Sequence, residues 1–301
     1  MTTSPALPAT PPLDDAAIDA VITWFDHAGR DLPWRHDGVT PWAVLVSEVM
    51  LQQTPVARVL PRWLEWMERW PEPAALAEAP TAEVLRAWDR LGYPRRALRL
   101  QECARAIVHE HGGEVPADLE ALRALPGIGE YTAAAVTAFA HHERAVVVDT
   151  NIRRVLARAV TGAALPARSY SAAERTLATA VLPASRPRSV AWNQAVMELG
   201  ALVCTARSPR CRSCPLAAHG CAWLAAGSPA PRPEQRRTQA FEGTDRQMRG
   251  QIMARLRGAQ TVPVTELMTL DTQDPARVER CLASLLADGL ARREGDLLRL
   301  P

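Results

Sequence analysis

The stretch that decides the fold is Leu125-Pro126-Gly127-Ile128-Gly129-Glu130, between two segments of helical periodicity, Asp118–Ala124 and Tyr131–Ala140. Two glycines separated by one apolar residue permit a tight hairpin that leads into the second helix. Backbone N–H groups and the positive end of the helix dipole would then form an anion site at Gly127 and Gly129. A lone Gly-x-Gly is more often a plain turn between helices, so the function of this segment depends on the other motifs of the chain.

The composition of the chain is that of a globular protein with several modules. It has 301 residues, of which 48% are hydrophobic and 23% charged, and its net charge of +2 neither requires nor excludes a polyanionic partner. All 35 basic residues are arginine, and no lysine occurs. The absence of lysine excludes every mechanism in which a lysine amine acts as nucleophile or base.

Targeting and membrane segments are not apparent in the sequence. No apolar run approaches the ~18 residues that a membrane-spanning helix needs, and the N-terminus lacks the basic and apolar regions of a secretory signal. We therefore expect a cytoplasmic protein that makes no contact with a membrane.

The pattern of the chain divides it into segments. Residues 1–13 are rich in proline and are expected to form a disordered lead-in, and residues 226–240, rich in Gly, Ser and Pro, are expected to form a linker. Between them the pattern is helical almost throughout, and its one β-like run, Ala145–Val148, is too short to found a sheet. The sequence therefore predicts an all-α fold.

Residues 241–301 have a pattern of their own. A helix through Met248, Ile252 and Leu256 is followed by a second over Val264–Leu270 and a third from Asp274–Pro275 to Gly289, and a hairpin then turns at Glu294-Gly295-Asp296. Three helices and a small hairpin resemble a winged-helix domain. A helical appendage without a ligand explains the same pattern equally well.

Two acidic residues stand in positions that suit catalysis. Asp149 ends the apolar run and precedes a helix that carries Arg153, Arg154 and Arg158, so its carboxylate is expected at the helix N-cap. Glu48 lies among apolar residues of another helix, where desolvation would keep it protonated. Each has a plainer interpretation, since Asp149 can be only a cap and Glu48 only a partly exposed helix charge.

Four of the six cysteines form a metal-binding pattern: Cys204, Cys211, Cys214 and Cys221, with intervals of six, two and six residues. Four thiolates on one loop suit tetrahedral zinc or a 4Fe–4S cube, and a single close pair with two outlying ligands favours the cube. The loop also carries Arg207, Arg210 and Arg212, which suit contact with phosphate. The two remaining cysteines, Cys103 and Cys281, lie on apolar helix faces and are expected in the core.

Taken together, these segments resemble the helix-hairpin-helix DNA glycosylases that carry an iron–sulfur loop, and within them the A/G-specific adenine glycosylases of the MutY family. The resemblance covers about residues 20–225. Its most specific strings are Leu32-Pro33-Trp34-Arg35, Ser47-Glu48-Val49-Met50-Leu51-Gln52-Gln53-Thr54, Leu91-Gly92-Tyr93, Leu125-Pro126-Gly127-Ile128-Gly129, Val148-Asp149-Thr150-Asn151 and the four cysteines.

The resemblance implies a role for each residue of a catalytic group. Glu48 matches the general acid that protonates adenine, and Asp149 matches the carboxylate that stabilises the oxocarbenium-like sugar or adds to it. Asn151 matches a residue that helps to position this site. Tyr131 stands where the related endonuclease III enzymes carry a lysine that attacks the sugar.

The resemblance also implies how the chain binds DNA. Gly127 and Gly129 would contact a phosphate, Gln52 and Tyr93 would insert into the duplex beside the displaced bases, and the four cysteines would hold a 4Fe–4S cluster. The lining of the adenine pocket would comprise Trp34, Arg35 and Gln194 together with Leu51.

The expected activity is hydrolytic removal of adenine that is mispaired with 8-oxoguanine or guanine in double-stranded DNA. Since no lysine is present to form an imine, the product would be an abasic site and the strand would stay intact. The resemblance implies an iron–sulfur lobe of residues 14–31 and 142–225, a six-helix lobe of residues 32–141, and a monomer. The sequence departs from the family in the six-residue last cysteine interval, in Thr150 and Pro94, and in having no Nudix-like C-terminal module.

Two other functions remain open on the sequence alone. A second enzyme of the same superfamily would remove thymine or uracil from mispairs with guanine, although Glu48 favours a purine that must be protonated. A non-enzymatic sensor would combine the iron–sulfur loop with the winged-helix-like tail to bind DNA, and it would need neither Glu48 nor Asp149.

Overall fold

The computed structural model describes residues 13–231 and 242–301, and that part of the chain is helical almost throughout. The all-α class expected from the sequence is confirmed, because the described strands are three short ones near the C-terminus. The predicted lead-in, apart from Leu13, and most of the predicted linker at 226–240 lie outside the described residues. No helix of the described chain is long and apolar enough to cross a membrane.

The α-helices and strands of the described residues are numbered here in chain order. They are α1 Asp15–Ala28, α2 Pro41–Leu51, α3 Val56–Arg69, α4 Pro73–Glu78, α5 Thr81–Trp88, α6 Arg95–Glu110, α7 Leu119–Ala124, α8 Glu130–Phe139, α9 Thr150–Ala159, α10 Ala172–Ala180, α11 Arg186–Leu202, α12 Ala222–Ala225, α13 Asp245–Gly258, β1 Val262–Pro263, α14 Val264–Met268, α15 Pro275–Ala287, β2 Arg292–Glu294 and β3 Leu297–Arg299. Short 3₁₀ helices occur at Pro33–Arg35, Asp89–Leu91, Cys211–Ser213 and Pro215–His219.

The described chain forms two compact units, each built from two separate segments. The first unit comprises residues 13–39 and 129–231, and the second comprises residues 40–128 and 242–301. The chain passes from the second unit to the first at Gly129, inside the glycine hairpin. The domain limits expected from the family resemblance stay a prediction.

In the first unit, helix α11 packs against both α1 and α9. The apolar residues of these helices are buried, among them Val21, Val155 and Leu199. At the crossing of α9 and α11 the backbones come very close, since a Cβ added to Gly200 would lie 2.7 Å from the Cβ of Asn151. Glycine at position 200 therefore allows the start of α9 to lie this close to α11.

In the second unit, helices α2 to α6 surround a core that is rich in tryptophan. Trp66 is fully buried and packs edge-on against Trp70 and Trp88, with ring centroids 4.8 and 5.5 Å apart. The indole N–H of Trp42 donates to the carbonyl of Trp70, which ties α2 to the end of α3. This core fixes the helix that carries Glu48.

The C-terminal elements follow the order expected from the sequence. Helix α13 packs on α15, Asp274 caps α15 by accepting from the N–H of Arg277, and β2 and β3 form the expected hairpin. The sequence did not predict strand β1, which pairs with β3 to give the sheet order β1-β3-β2. Cys103 and Cys281 are both buried, as expected.

Candidate active site

Asp149 lies at the N-cap of α9, where the sequence places it. One carboxylate oxygen accepts from the backbone N–H of Ile152 at 2.7 Å, and the other accepts from the side-chain amide of Asn151 at 2.7 Å. Both oxygens are therefore held in one orientation by donors from the first turn of the helix. Asn151 thus contacts the carboxylate directly, and its positioning role in catalysis stays a prediction.

The environment of Asp149 acts on its pKa in two directions. Burial raises the pKa above its usual value, whereas the hydrogen bonds from Ile152 and Asn151 and the positive charge of Arg154 oppose that effect. The net direction is upward. The carboxylate is thus less acidic than an exposed aspartate, and its ionised form depends on these three partners.

Arg154 links the Asp149 site to the cysteine loop. Its guanidinium donates to the Asn151 side-chain oxygen at 2.8 Å, to the carbonyl of Gly200 at 2.6 Å and to the carbonyl of Cys204 at 2.7 Å. A continuous series of hydrogen bonds thus runs from the Asp149 carboxylate through Asn151 and Arg154 to the backbone of the first cysteine. Nothing in the sequence distinguishes Arg154 from its neighbours Arg153 and Arg158.

Arg158, one turn further along α9, is buried within the same loop. It donates to the Cys204 sulfur at 3.3 Å and to the carbonyls of Thr205 and Ala206, and its guanidinium lies 4.8 Å from the centre of the Trp223 ring. Hydrogen bonds to cysteine sulfur are among the contacts that tune iron–sulfur centres. Arg207, Arg210 and Arg212 of the loop are exposed.

The four cysteines supply a donor set that suits an iron–sulfur cube, and the group that they hold stays a prediction. In the described residues no three His, Cys, Asp or Glu side chains converge on the position of one metal ion. A cube does not require such convergence, because each of its iron atoms takes a separate thiolate. Burial raises the pKa of Cys214 to about 11 and that of Cys211 above its usual value, so binding would have to displace thiol protons.

Glu48 lies in α2 and is buried, with only 6% of its surface exposed. Every residue of this helix from Trp42 to Met50 is buried, so the apolar environment expected from the sequence is present. Glu48 belongs to the second unit and Asp149 to the first. Their pairing across one catalytic site stays a prediction.

The loops that follow α2 and α5 carry Gln52 and Tyr93, the two residues expected to insert into DNA. Gln53 and Tyr93 adopt left-handed backbone conformations, with φ of 57° and 47°. Non-glycine residues are strained in this region, and such strain is retained where the surrounding structure holds it. Among the described residues, Tyr93 is also one of four large hydrophobic side chains that are exposed, at 39%.

Arg96 holds both of these loops at once. One of its terminal nitrogens donates to the carbonyls of Val49, Met50 and Gln52, at 2.8, 3.1 and 2.6 Å. The other terminal nitrogen donates to the Thr54 hydroxyl and to the carbonyls of Leu91 and Gly92, at 3.0, 3.3 and 3.1 Å. Burial lowers the pKa of Arg96 to about 10, which leaves it charged at neutral pH.

The glycine hairpin faces a cavity of about 210 Å³ that carries positive charge. Gly127 has a left-handed φ of 78°, and a Cβ there would lie 2.8 Å from the Cβ of Arg99, so only glycine fits. Gly129 is the N-cap of α8. The cavity is lined by Val49, Gln52, Arg95, Arg96, Arg99, Leu100, Pro126, Gly127 and Ile128.

Arg35, expected to line the adenine pocket, takes part in a buried ion-pair group. Glu198 on α11 is fully buried and accepts from Arg30 at 2.6 and 2.8 Å and from Arg35 at 2.9 Å. Burial alone would raise the pKa of Glu198, but the hydrogen bonds and charges of these two arginines outweigh it and lower the pKa to about 2. Sequence reasoning missed Glu198, because nothing in the helical pattern of 186–202 shows that an acid there meets two distant arginines.

The other expected site residues are divided between the two units. Trp34 is buried, and Gln194 and Tyr131 are half-buried, all three in the first unit, while Leu51 is half-buried in the second. Within the first unit the structure therefore brings Asp149, Asn151 and the cysteine loop into one hydrogen-bonded group. Within the second it brings the Gln52 and Tyr93 loops together at Arg96.

Comparisons with known proteins show which proteins the chain is similar to. A model of the HhH-GPD superfamily of base excision DNA repair proteins matches residues 46–181. The adenine DNA glycosylase of Mycobacterium tuberculosis is 52% identical over 278 residues, a match that covers 92% of this chain and 90% of that protein.

Two solved structures are also similar. A thermostable thymine-DNA glycosylase aligns with a TM-score of 0.62 and 28% identity, over 69% of this chain and 95% of that one. An endonuclease III trapped as a covalent intermediate with DNA aligns with a TM-score of 0.60 and 26% identity, over 71% of this chain and 96% of that one.

Proposed function

Because this chain belongs to the adenine DNA glycosylase family, we propose that it removes adenine with Glu48 as the general acid and Asp149 as the stabilising carboxylate. DNA is its partner, and the reaction is hydrolysis of an N-glycosidic bond. Membership of this family does not favour the non-enzymatic sensor. The thymine and uracil alternative is less well supported, since the thymine glycosylase structure is only 28% identical.

The main support for the proposal is the geometry of Asp149, whose two carboxylate oxygens are held in one orientation by Ile152 and Asn151. Adenine leaves poorly as an anion, so Glu48 donates a proton to the adenine ring while the bond from the sugar C1′ to adenine breaks. The sugar then carries positive charge, which an ionised carboxylate stabilises electrostatically or by transient addition. Water adds to C1′ and releases one proton, which balances the proton that Glu48 gave to adenine. The products are adenine and an abasic site in an intact strand.

The chain has no lysine with which to open the abasic site. Tyr131 stands where a nucleophilic lysine would be expected, and a phenol cannot form an imine with the sugar. We therefore propose a monofunctional glycosylase. After reaction with a duplex, heating with alkali should cleave the strand at the adenine position, and the same sample without alkali should show an uncut strand.

The catalytic proposal is tested by replacing Asp149 with asparagine. Asn keeps the cap contact to Ile152 but cannot stabilise a cation as a carboxylate does, so we expect the single-turnover rate of adenine release to fall about 1,000-fold. Glu48→Gln should give a loss of similar size, and Asp14→Asn, at the N-cap of α1, serves as a control. An Asp149→Asn variant with the wild-type rate would contradict the assignment.

The duplex substrate that we propose contains adenine opposite 8-oxoguanine or guanine. Support comes from the two loops held by Arg96, which present Gln52 and Tyr93 as groups able to fill the space that a displaced base leaves. Single-turnover rates opposite 8-oxoguanine, guanine and cytosine test this specificity. Equal rates with all three partners would contradict it, as would a higher rate opposite cytosine.

We propose that Cys204, Cys211, Cys214 and Cys221 hold a 4Fe–4S cluster, with the chain active as a monomer. The thiol donor set and the Arg158 contact to the Cys204 sulfur support it. When bound, such a cluster would hold the loop, and through Arg154 the start of α9, in a fixed position. Purified protein should contain about four irons per chain and absorb visible light, whereas stoichiometric zinc without that absorption would favour a zinc site.

A further inference from the structure

The C-terminal module, defined as residues 244–301, contacts the segment that carries Tyr93 at three places. The Arg246 guanidinium lies 4.7 Å from the centre of the Tyr93 ring. Asp288 pairs with Arg95 at 3.3 Å, and Arg257 lies 4.0 Å from Asp89. All three contacts fall within the second unit, and they bracket Tyr93 on both sides along the chain.

Tyr93 needs such support more than most residues of its loop. Its left-handed backbone conformation is strained, and its ring is partly exposed with the Arg96 guanidinium 5.6 Å from its centre. Arg246 is a second guanidinium on this ring, and it comes from a different element of the chain. Two cations on one ring hold an aromatic side chain in place without burying it.

The position of Arg246 is not explained by the stability of its own helix. It is the second residue of α13, and a positive charge in the first turn of a helix opposes the helix dipole. The first turn begins with Asp245, and Arg255 and Arg257 occupy the last turn, where positive charge is favourable. Contact with the Tyr93 ring gives Arg246 a favourable interaction at an otherwise unfavourable place.

We propose that Arg246 is a positioning residue that holds the Tyr93 ring ready to enter the duplex, so that the C-terminal module takes part in DNA recognition. This inference rests on the proposed function, in which Tyr93 enters DNA. The module lies beyond residues 46–181, the part that matches the superfamily. The contact of Arg246 with Tyr93 therefore comes from a part of the chain outside that match.

Binding of full-length variants to a duplex with adenine opposite 8-oxoguanine tests the proposal, with the single-turnover rate measured in parallel. We expect Arg246→Ala to raise the Kd about threefold, the size that corresponds to one exposed cation–π contact, and Arg246→Lys to restore most of the affinity. Arg255→Ala is the matched control, since it removes one exposed arginine from the same helix without contact to Tyr93. Arg246 is exposed, so its variants should fold normally.

A Tyr93→Ala background separates positioning from direct contact with phosphate. If Arg246 acts through Tyr93, Arg246→Ala should not weaken binding further in that background. An equal loss in both backgrounds would overturn the proposal, as would a loss matched by Arg255→Ala or no loss at all. If the wild-type chain binds the duplex but leaves adenine attached, the proposed function fails and the Kd comparison still decides the role of Arg246.

Discussion

Half-buried Asp149 and fully buried Glu198 show that the balance between burial and neighbouring groups decides the direction of a carboxylate's pKa shift. Two guanidinium groups outweigh burial at Glu198 and lower its pKa to about 2. At Asp149 the N–H, the amide and the more distant arginine do not outweigh burial, and its pKa rises. The sequence predicts the place of Asp149, because an N-cap is a local feature. It does not predict the partners of Glu198, which are more than 160 residues away.

Replacing Asp149 with asparagine should make the folded protein more stable while it lowers the rate of adenine release. Since burial raises the pKa above 3.8, the folded state binds the proton more tightly than the unfolded chain does. Stability therefore declines as the pH rises through the raised pKa, and the ionised carboxylate is a cost at neutral pH. We expect Asp149→Asn to raise the free energy of unfolding at pH 7 by about 1 kcal/mol. The control variant Asp14→Asn should not show this gain. A lower free energy of unfolding for Asp149→Asn would contradict the prediction.

Replacing Glu198 with glutamine should destabilise the first unit. The variant leaves Arg30 and Arg35 facing a neutral amide, and breaking a buried pair in this way costs about 3 kcal/mol. Because the pKa is lowered, the contribution of Glu198 is present above its usual value of 4.5 and is lost as the pH falls towards about 2.

Denaturation at pH 7 and at pH 3 measures this difference. The difference in the free energy of unfolding between wild type and Glu198→Gln should be smaller at pH 3 than at pH 7. Glu120→Gln, which removes an exposed pair with Arg123, should change the free energy of unfolding by less than about 0.5 kcal/mol. If that difference in the free energy of unfolding did not change with pH, the ion pairs of Glu198 would not be its cause.

At the scale of elements, most helices could be predicted from the sequence and their contacts could not. The helix over 274–289 begins at an Asp-Pro cap and carries Val278, Leu282 and Leu285 on one face, which is enough to place α15. Strand β1 has only two residues, Val262 and Pro263, so no alternation exists to reveal it. Its pairing with β3 depends on a contact that only the folded chain makes.

The crossing of α9 and α11 gives a prediction at this scale. A Cβ at position 200 would lie 2.8 Å from the Asn151 carbonyl oxygen as well as 2.7 Å from its Cβ, so Gly200→Ala must push the two helices apart. We expect a loss of about 2 kcal/mol in stability and a lower rate of adenine release, because Arg154, which donates to both Asn151 and Gly200, would lose its contact to α11.

Gly250→Ala is the matched control for this crossing. Gly250 is also inside a helix, α13, but a Cβ there meets no atom within 4 Å. The variant should gain about 0.5 kcal/mol from the higher helix propensity of alanine. If both variants were equally stable, the close approach of α9 and α11 would not be the constraint that we describe.

Arg96 gives a second prediction for elements, because it joins the end of α2 to the loop after α5. An ammonium group has three donors on a flexible chain and cannot reach the same six acceptors, so Arg96→Lys is not a conservative change. We expect a loss of about 3 kcal/mol in the free energy of unfolding. Arg99→Lys, whose pair with Glu102 is exposed, should cost little, and similar losses in the two variants would contradict the special role of Arg96.

At the scale of the whole molecule, each compact unit combines an early and a late segment of the chain. The sequence marks the proline-rich stretch at 226–240 as a break, but it does not show that residues 242–301 belong with residues 40–128. Ion pairs such as Asp288 with Arg95 join the two segments. The spacing of charged surface residues in a sequence does not show which residues they pair with. The association matters for function, because it brings the C-terminal module to Tyr93.

The Arg96 guanidinium also couples the motions of the two loops that it joins. Neither the 52–54 loop nor the 91–93 loop can swing outward alone without removing two of the six acceptors of Arg96, so local opening becomes a joint event. Hydrogen exchange should then give the same free energy of opening for both loops, and Arg96→Lys should separate the two values. A protein scanning long DNA would thus present Gln52 and Tyr93 together or not at all.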